Sequence, residues 1–471
     1  MTKLQDDLKH TDLLLQLTKE FSSKFLSSLD ELAADKVTQV DMRPVMPEEG
    51  VGGAEALELF RQQYGDALTA SAGPRYWGFV TGGVTPAALM GDWLTAAVDL
   101  NAADKGSATF TIETETIAFL KQLFGLPEEF LGSFVTGATM ANFTGLAMGR
   151  QWLGKQRGVD IGRDGMAGLQ DLQVVSCVPH SSTAKSMSML GLGRNNIVKI
   201  PALPGRESID VAALESFLAS REGQPVIFVA SAGTVNTVDF DDIAAVVELK
   251  QRYPFWLHVD AAFGGFAACS EEHRHLLNGW EHADSITIDA HKWLNVPYDS
   301  AMIFSRHPSL QVEVFQNAGA AYLGDPAANF NFINYGPENS RRQRALPAWF
   351  SLMAYGKEGY RQIVDNNVML ARQLGELISG NPDFRLLSPV RLCVVCFTLN
   401  VTADVQETMV NQFLEALNAT GVVCMTRTVY AGQPAIRAAL VNWRTTGDDV
   451  QIAYRAMKEI ADTILNQHTY A

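Results

Sequence analysis

Ser285-Ile286-Thr287-Ile288-Asp289-Ala290-His291-Lys292-Trp293 reads as a short buried strand that carries a lysine, set between a histidine and a tryptophan, at its carboxyl end. Upstream, Trp256-Leu257-His258-Val259-Asp260-Ala261-Ala262-Phe263-Gly264-Gly265 repeats the design with a carboxylate at the strand end and small residues after it. Continuous apolar runs of this kind suit strands covered on both faces. Comparable runs lie at Gln173–Val178, Asn196–Ile200, Val226–Ala230 and Ala301–Phe304, and helical patterns such as Val211–Ser220 and Asp241–Gln251 fall between them. Such alternation predicts an α/β fold with a mainly parallel sheet flanked by helices. Ligands of such sheets gather at the carboxyl ends of the strands.

Outward from this centre the pattern changes on both sides. Leu13, Leu14, Leu17, Phe21, Phe25 and Leu29 fall near a period of 3.6, which predicts a helix from about Leu8 to Leu32. Asp41–Gly53, rich in proline and glycine, reads as extended. Residues 1–90 are thus expected to form a helical arm suited to wrapping a partner subunit, and 91–355 the large domain. Residues 356–471 are expected to form a smaller α+β domain: helix Gly359–Ser379, strand Cys393–Leu399, helix Val405–Thr420, strands Val422–Thr426 and Ala435–Val441, and helix Gly447–Leu465.

The 471 residues are 47% hydrophobic and 19% charged, with a net charge of -15. An acidic chain whose longest basic cluster is Arg341-Arg342-Gln343-Arg344 lacks the cationic face that nucleic acid or an anionic membrane requires. Neither a signal-peptide core nor a membrane-length apolar run is present. The five cysteines are scattered in apolar contexts and read as free thiols of a reducing compartment, so the expected location is the cytoplasm. Cys393-Val394-Val395-Cys396 has redox spacing, but it lies in a strand-like run without turn residues, and no second pair offers a metal site.

Four elements carry the chemistry. Lys292 is an amine at a strand end. Asp260 ends a buried strand and needs a cationic partner, which a protonated pyridine nitrogen would supply; Ala262 lets a ring lie close to the backbone. Ser133-Phe134-Val135-Thr136-Gly137-Ala138-Thr139 is a strand and turn opening a helix, so Ala138 and Thr139 can donate to a phosphate. His180, in Val178-Pro179-His180-Ser181-Ser182, can stack on a ring and supply a proton. Singly, a helix cap, a capping Asp or a lone His is ordinary; in this order, all at strand ends, they describe one cofactor, pyridoxal 5′-phosphate (PLP).

Residues Ile227–Phe304 resemble the group II PLP-dependent amino-acid decarboxylases. Leu257–Ala262, His275-Leu276-Leu277-Asn278-Gly279 and His291-Lys292-Trp293 are similar to the aromatic branch. Weaker similarity covers almost the whole chain, including Pro74-Arg75-Tyr76, Leu392–Leu399 and Ile436–Arg444. The resemblance implies fold type I of the PLP-dependent transferases, with a seven-stranded type of sheet, and a homodimer with active sites at the interface. It implies that Lys292 binds the cofactor covalently, Asp260 pairs with its ring nitrogen and His180 stacks on it. Ala138, Thr139 and His291 would hold phosphate, and Thr234 would lie near the cofactor. It also implies a loop tyrosine as proton donor, with Tyr335 the best match and Tyr322 a rival. Phe79 stands where the aromatic enzymes place a tyrosine near the substrate carboxylate.

The expected reaction is decarboxylation of an L-amino acid, aromatic or otherwise apolar, with Trp77, Phe79 and Thr81 at the substrate. Other chemistry on the same scaffold stays open: transamination, desulfuration, or oxidative deamination to an aldehyde. So does an acidic substrate such as glutamate, aspartate or cysteine sulfinate, for which the Arg341–Arg344 cluster is a candidate cation. A non-enzymatic PLP-fold carrier is a further alternative.

Overall fold

The computed structural model describes residues 2–469 except 37, 39, 42–44, 103–106, 168, 170 and 318–329. Seven strands form the large sheet: β1 (Leu131–Val135), β2 (Val174–Ser176), β3 (Ile197–Lys199), β4 (Val226–Ser231), β5 (Phe255–Asp260), β6 (Ser285–Asp289) and β7 (Ala301–Ser305). Their order is β1-β7-β6-β5-β4-β2-β3. Only β7 runs against the rest, pairing antiparallel with β1 and β6. Every residue of β4, β6 and β7 is buried, which accounts for their unbroken apolar reading. The helix Ala138–Gln156 packs across β5, β6 and β7. It does so through glycines at close approach: a Cβ on Gly145 would stand 2.4 Å from the His258 ring, and one on Gly149 would stand 3.0 Å from Trp256.

The second sheet has the order β10-β11-β9-β8, built from β8 (Phe384–Leu386), β9 (Val394–Leu399), β10 (Thr426–Tyr430) and β11 (Gln433–Ala439). Helices Ala403–Ala419 and Gly447–Thr469 complete this part. The long helix leading into it spans Ala345–Ser379, starting well before the expected Gly359, with a break at Gly356 (φ 57°, ψ −169°). The strand expected at Val422–Thr426 instead begins at Thr426. Val423 and Met425 are buried in the core under the small sheet, and Cys424 makes a single parallel bridge to Tyr76 of an incoming segment.

That segment is Arg75–Trp77, which the sequence assigned to the arm. Trp77 N–H donates to Cys424 O (2.9 Å), Cys424 N–H to Arg75 O (3.0 Å) and Ala439 N–H to Trp77 O (2.9 Å). Arg75 binds Asp449 at 2.6 Å. A few residues on, the chain presses on the lysine turn: a Cβ on Gly82 would lie 1.5 Å from Lys292 O.

The N-terminal helices Lys3–Lys9, Thr11–Ser27 and Gly53–Tyr64 bury none of their residues. The predicted single helix is interrupted at His10, which ends one helix and starts the next. Cys393 and Cys396 are buried free thiols, and burial pushes the Cys396 thiol up to about 12, which suits packing and not redox exchange.

Candidate active site

β6 ends at Asp289 and the chain turns at once into Ala290–Trp293. The turn is locked by Trp293, fully buried, whose indole N–H donates to Asn367 Oδ1 on the long helix (2.8 Å). Lys292 is thereby held inward. Its Nζ lies 3.1 Å from Asp289 Oδ2 and 5.5 Å from the Phe263 ring centroid. His291 Nδ1 accepts Ser300 N–H (3.1 Å), and its ring stacks on Tyr298 (4.2 Å). Its Nε2 faces Asp289 Oδ1 at 3.4 Å. Burial holds this imidazole below its ordinary range, against the pull of Asp289.

Beside it lies the predicted anion turn. The helix Ala138–Gln156 begins at Gly137 with no side chain capping it, and Ala138 N–H donates to Asp289 Oδ1 (2.9 Å). One carboxylate therefore collects the Ala138 N–H, the His291 ring and the Lys292 ammonium. Asp289 thus takes the capping place that the N-cap glycine leaves open, and a helix start with converging donors is a place where an anion can bind. Thr139 is the second residue of the same turn; its carbonyl accepts Ser186 Oγ–H at 3.2 Å.

Asp260 ends β5, as expected. Its Oδ2 accepts Asn142 Nδ2–H (2.9 Å) and its Oδ1 accepts Ala262 N–H (3.3 Å), and among the described residues it has no cationic partner. His180 starts the helix Ser181–Met189 and its Nδ1 accepts Ser182 N–H (3.2 Å). Burial lowers its pKa, so it is neutral near pH 7. Lys292, Asp260, His180, Ala262, Ala138 and Thr234 all line one cavity of about 280 Å³. The Thr234 hydroxyl is committed elsewhere, donating to Glu207 Oε2 at 2.6 Å.

Other expectations are corrected. Phe79 does line the cavity, 65% exposed and with φ 57°. Trp77 does not: it is fully buried in the core of the small sheet, its indole N–H on Pro74 O (2.9 Å), because its backbone is stitched to that sheet. Thr81 sits behind the cavity, 3.3 Å from the Tyr298 hydroxyl. Tyr335 does not line the cavity that holds Lys292; it is buried against Phe330, ring centroids 4.4 Å apart. Tyr322 lies outside the described residues. The basic cluster is engaged in ion pairs away from the cavity: Arg341 with buried Glu113 (2.8 Å), Arg342 with Asp92 (2.8 Å) and Arg344 with Asp299 (2.8 Å).

The sequence reading overlooked Arg437. It lies in β11, is 8% exposed, lines the cavity, and donates to Val235 O (3.0 Å). Its Nε has no partner among the described residues. The signal was available: Ala435-Ile436-Arg437-Ala438-Ala439 puts a lone cation inside an apolar strand.

A model of the pyridoxal-dependent decarboxylase conserved domain matches residues 57–400. The chain belongs to the pyridoxal-dependent decarboxylase family. It is 26% identical to an aromatic-L-amino-acid decarboxylase of Bacillus atrophaeus over 469 residues, covering 96% of this chain and 94% of the relative. It is also 26% identical to a phenylacetaldehyde synthase of Petunia hybrida, covering 90% and 87%. A crystal structure of Oryza sativa TDC with PLP and tryptamine superposes with a TM-score of 0.89 at 23% identity, covering 98% of each chain. This decarboxylase is a PLP-dependent carboxy-lyase. The residues fit the cofactor: a carboxylate that among the described residues meets no cation, for the ring nitrogen, a helix start with converging donors, for the phosphate, and a lysine amine in the same cavity. Among the described residues no cluster of His, Cys, Asp or Glu is arranged to hold a metal, and no helix is long and apolar enough to cross a membrane.

Proposed function

We propose that this decarboxylase converts an aromatic L-amino acid to its amine and CO₂. The observation that carries the substrate class is the cavity wall. Phe79, Val80, Val178, Pro179 and Phe263 make it apolar, and the one arginine it holds is Arg437. Both closely covering curated relatives above carry aromatic chemistry in their names, which supports the same class.

PLP, held at Lys292, would supply the electron sink for the pair left by the departing carboxylate. The residues do the rest. Asp260 would hold the proton on the cofactor's ring nitrogen. Ala138, Thr139 and His291 would hold the phosphate. Arg437 receives the substrate carboxylate and orients it, while the apolar wall strips water from it. His180 accepts at Nδ1 and so carries its proton at Nε2, where it can be delivered to the substrate carbon. Tyr335 does not line the cavity of Lys292 among the described residues, so its part in proton delivery would fall to the site of a second copy.

A homodimer is part of this reading. Met90, Trp93, Leu94 and Val98 on one helix, with Leu13 and Leu15 on another, expose apolar side chains that an isolated chain would leave in water. Sedimentation should give twice the 51.4 kDa chain mass. Five free cysteines are compatible with the cytoplasm.

The test of function is product analysis with PLP-loaded protein over the twenty amino acids, DOPA, 5-hydroxytryptophan and cysteine sulfinate. Amine and CO₂ in equal amounts from an aromatic substrate is the expected result. Aldehyde, ammonia and peroxide formed with CO₂ at the expense of O₂ would replace simple decarboxylation by decarboxylation coupled to oxidative deamination, and turnover of acidic substrates alone would overturn the substrate class. Arg437→Ala should lower kcat/KM about 10- to 150-fold, the equivalent of a charge-assisted hydrogen bond. Arg437→Lys should restore part of it.

A further inference from the structure

Behind the cavity floor runs a closed chain of hydrogen bonds whose direction is fixed at both ends. Trp256 Nε1–H, which can only donate, points at Ser285 Oγ (3.0 Å). Ser285 Oγ is 2.7 Å from His258 Nδ1, and His258 Nε2 is 2.9 Å from Asn142 Oδ1. The Asn142 amide nitrogen then meets two acceptors, Asp260 Oδ2 (2.9 Å) and Ser182 Oγ (3.1 Å). Ser182 Oγ is 2.7 Å from His180 Nδ1. Asn142, His258 and Ser285 are fully buried.

The proton positions follow from either end. An ionised carboxylate only accepts, so Asn142 must present its NH₂ to Asp260 and its oxygen to His258. His258 must therefore carry its proton on Nε2, and its Nδ1 must accept the Ser285 hydroxyl. That leaves the Ser285 oxygen free for the Trp256 indole, which is where the indole points. At the other end Ser182 Oγ accepts from Asn142, so its own proton goes to His180 Nδ1. His258 cannot act as a cation here, because burial pushes its pKa down to about 4. It is wedged in place by Gly145, whose Cα hydrogen faces the ring. The Thr287 hydroxyl, 3.4 Å from His258 Nε2, is the more distant neighbour.

We propose that Asn142, braced by His258, is a positioning residue that sets Asp260. It aims the Asp260 carboxylate at the cofactor's ring nitrogen, while the tautomer of His180 is held separately by the Ser182 backbone N–H. The inference rests on the assignment of Asp260 to that nitrogen.

The experiment compares binding of PLP with binding of its carbocyclic analogue, in which CH replaces the ring nitrogen, to wild-type and Asn142→Leu apoprotein by titration of intrinsic fluorescence. Wild type should prefer PLP. N142L should lose about tenfold in PLP affinity and less than about twofold for the analogue. Equal weakening of both, or an unchanged preference, would overturn the role of Asn142. A wild type without any preference would instead overturn the assignment of Asp260. Nitrogen-15 NMR of labelled histidine gives the second readout: His258 protonated on Nε2 in wild type, as its contact with Asn142 Oδ1 requires; protonation on Nδ1 would reverse the chain and overturn the orientation of Asn142. Should N142L fail to fold, His258→Phe, which removes the brace, should shift the preference for PLP in the same direction and by less.

Discussion

Lys292→Ala is expected to reduce decarboxylation by at least about 10³-fold and to abolish the visible absorption of the attached cofactor. Lys292 is the amine of the cavity, and its side chain is held within reach by the Trp293–Asn367 lock. The substitution also removes the cation 3.1 Å from Asp289, a carboxylate whose side chain is 3% exposed. Alanine therefore confounds lost chemistry with lost charge. Lys292→Arg separates them, since a guanidinium keeps the charge beside Asp289 but stays protonated at any working pH and cannot attack a carbonyl. Equal inactivity in both variants, with thermal stability closer to wild type in the arginine one, is the expected pattern. Decarboxylation within about tenfold of wild type in either would remove Lys292 from its role.

Asp260→Ala carries the second largest effect, a fall in kcat of about 10²- to 10³-fold, which corresponds to about 3–4 kcal/mol, within the range for breaking a buried ion pair. The carboxylate receives two hydrogen bonds, from Asn142 and Ala262, yet among the described residues it meets no cation. The pair is thus completed only by the cofactor, and its loss falls on the chemical step more than on the fold. Steady-state kinetics with saturating PLP should show kcat dropping while KM changes little. A loss confined to KM would mean that Asp260 serves substrate binding.

The sequence disclosed most readily what is local. Lys292, Asp260, Ala138 and His180 each follow a strand and precede a turn or helix, so strand ends alone bring them to one edge of the sheet, and the cavity contains all four. Arg437 was harder to see, since it arrives from the second sheet and only the packing of the two parts brings it to the wall. Trp77 misled for the converse reason. It is two residues from Phe79, which does reach the cavity, but the hydrogen bonds to Cys424 and Ala439 turn it the other way. Asn142, three residues past Thr139 on the same helix, carries no visible role in the sequence. What gives it one is a partner on β5 and another on the His180 helix, distances that no spacing along the chain encodes.

The passage of Arg75–Gly82 from the small sheet to the lysine turn also bears on how variants of this enzyme can be assembled from its relatives. A chimaera joined at residue 356 would import a new small sheet yet keep the old strip laced through it, so that Arg75 loses its own Asp449 while Gly82 still abuts Lys292 O. The unit of exchange is discontinuous. Residues 356–471 should be transplanted together with 72–83, and libraries recombined with a crossover between those two stretches should be dominated by insoluble or cofactor-free clones.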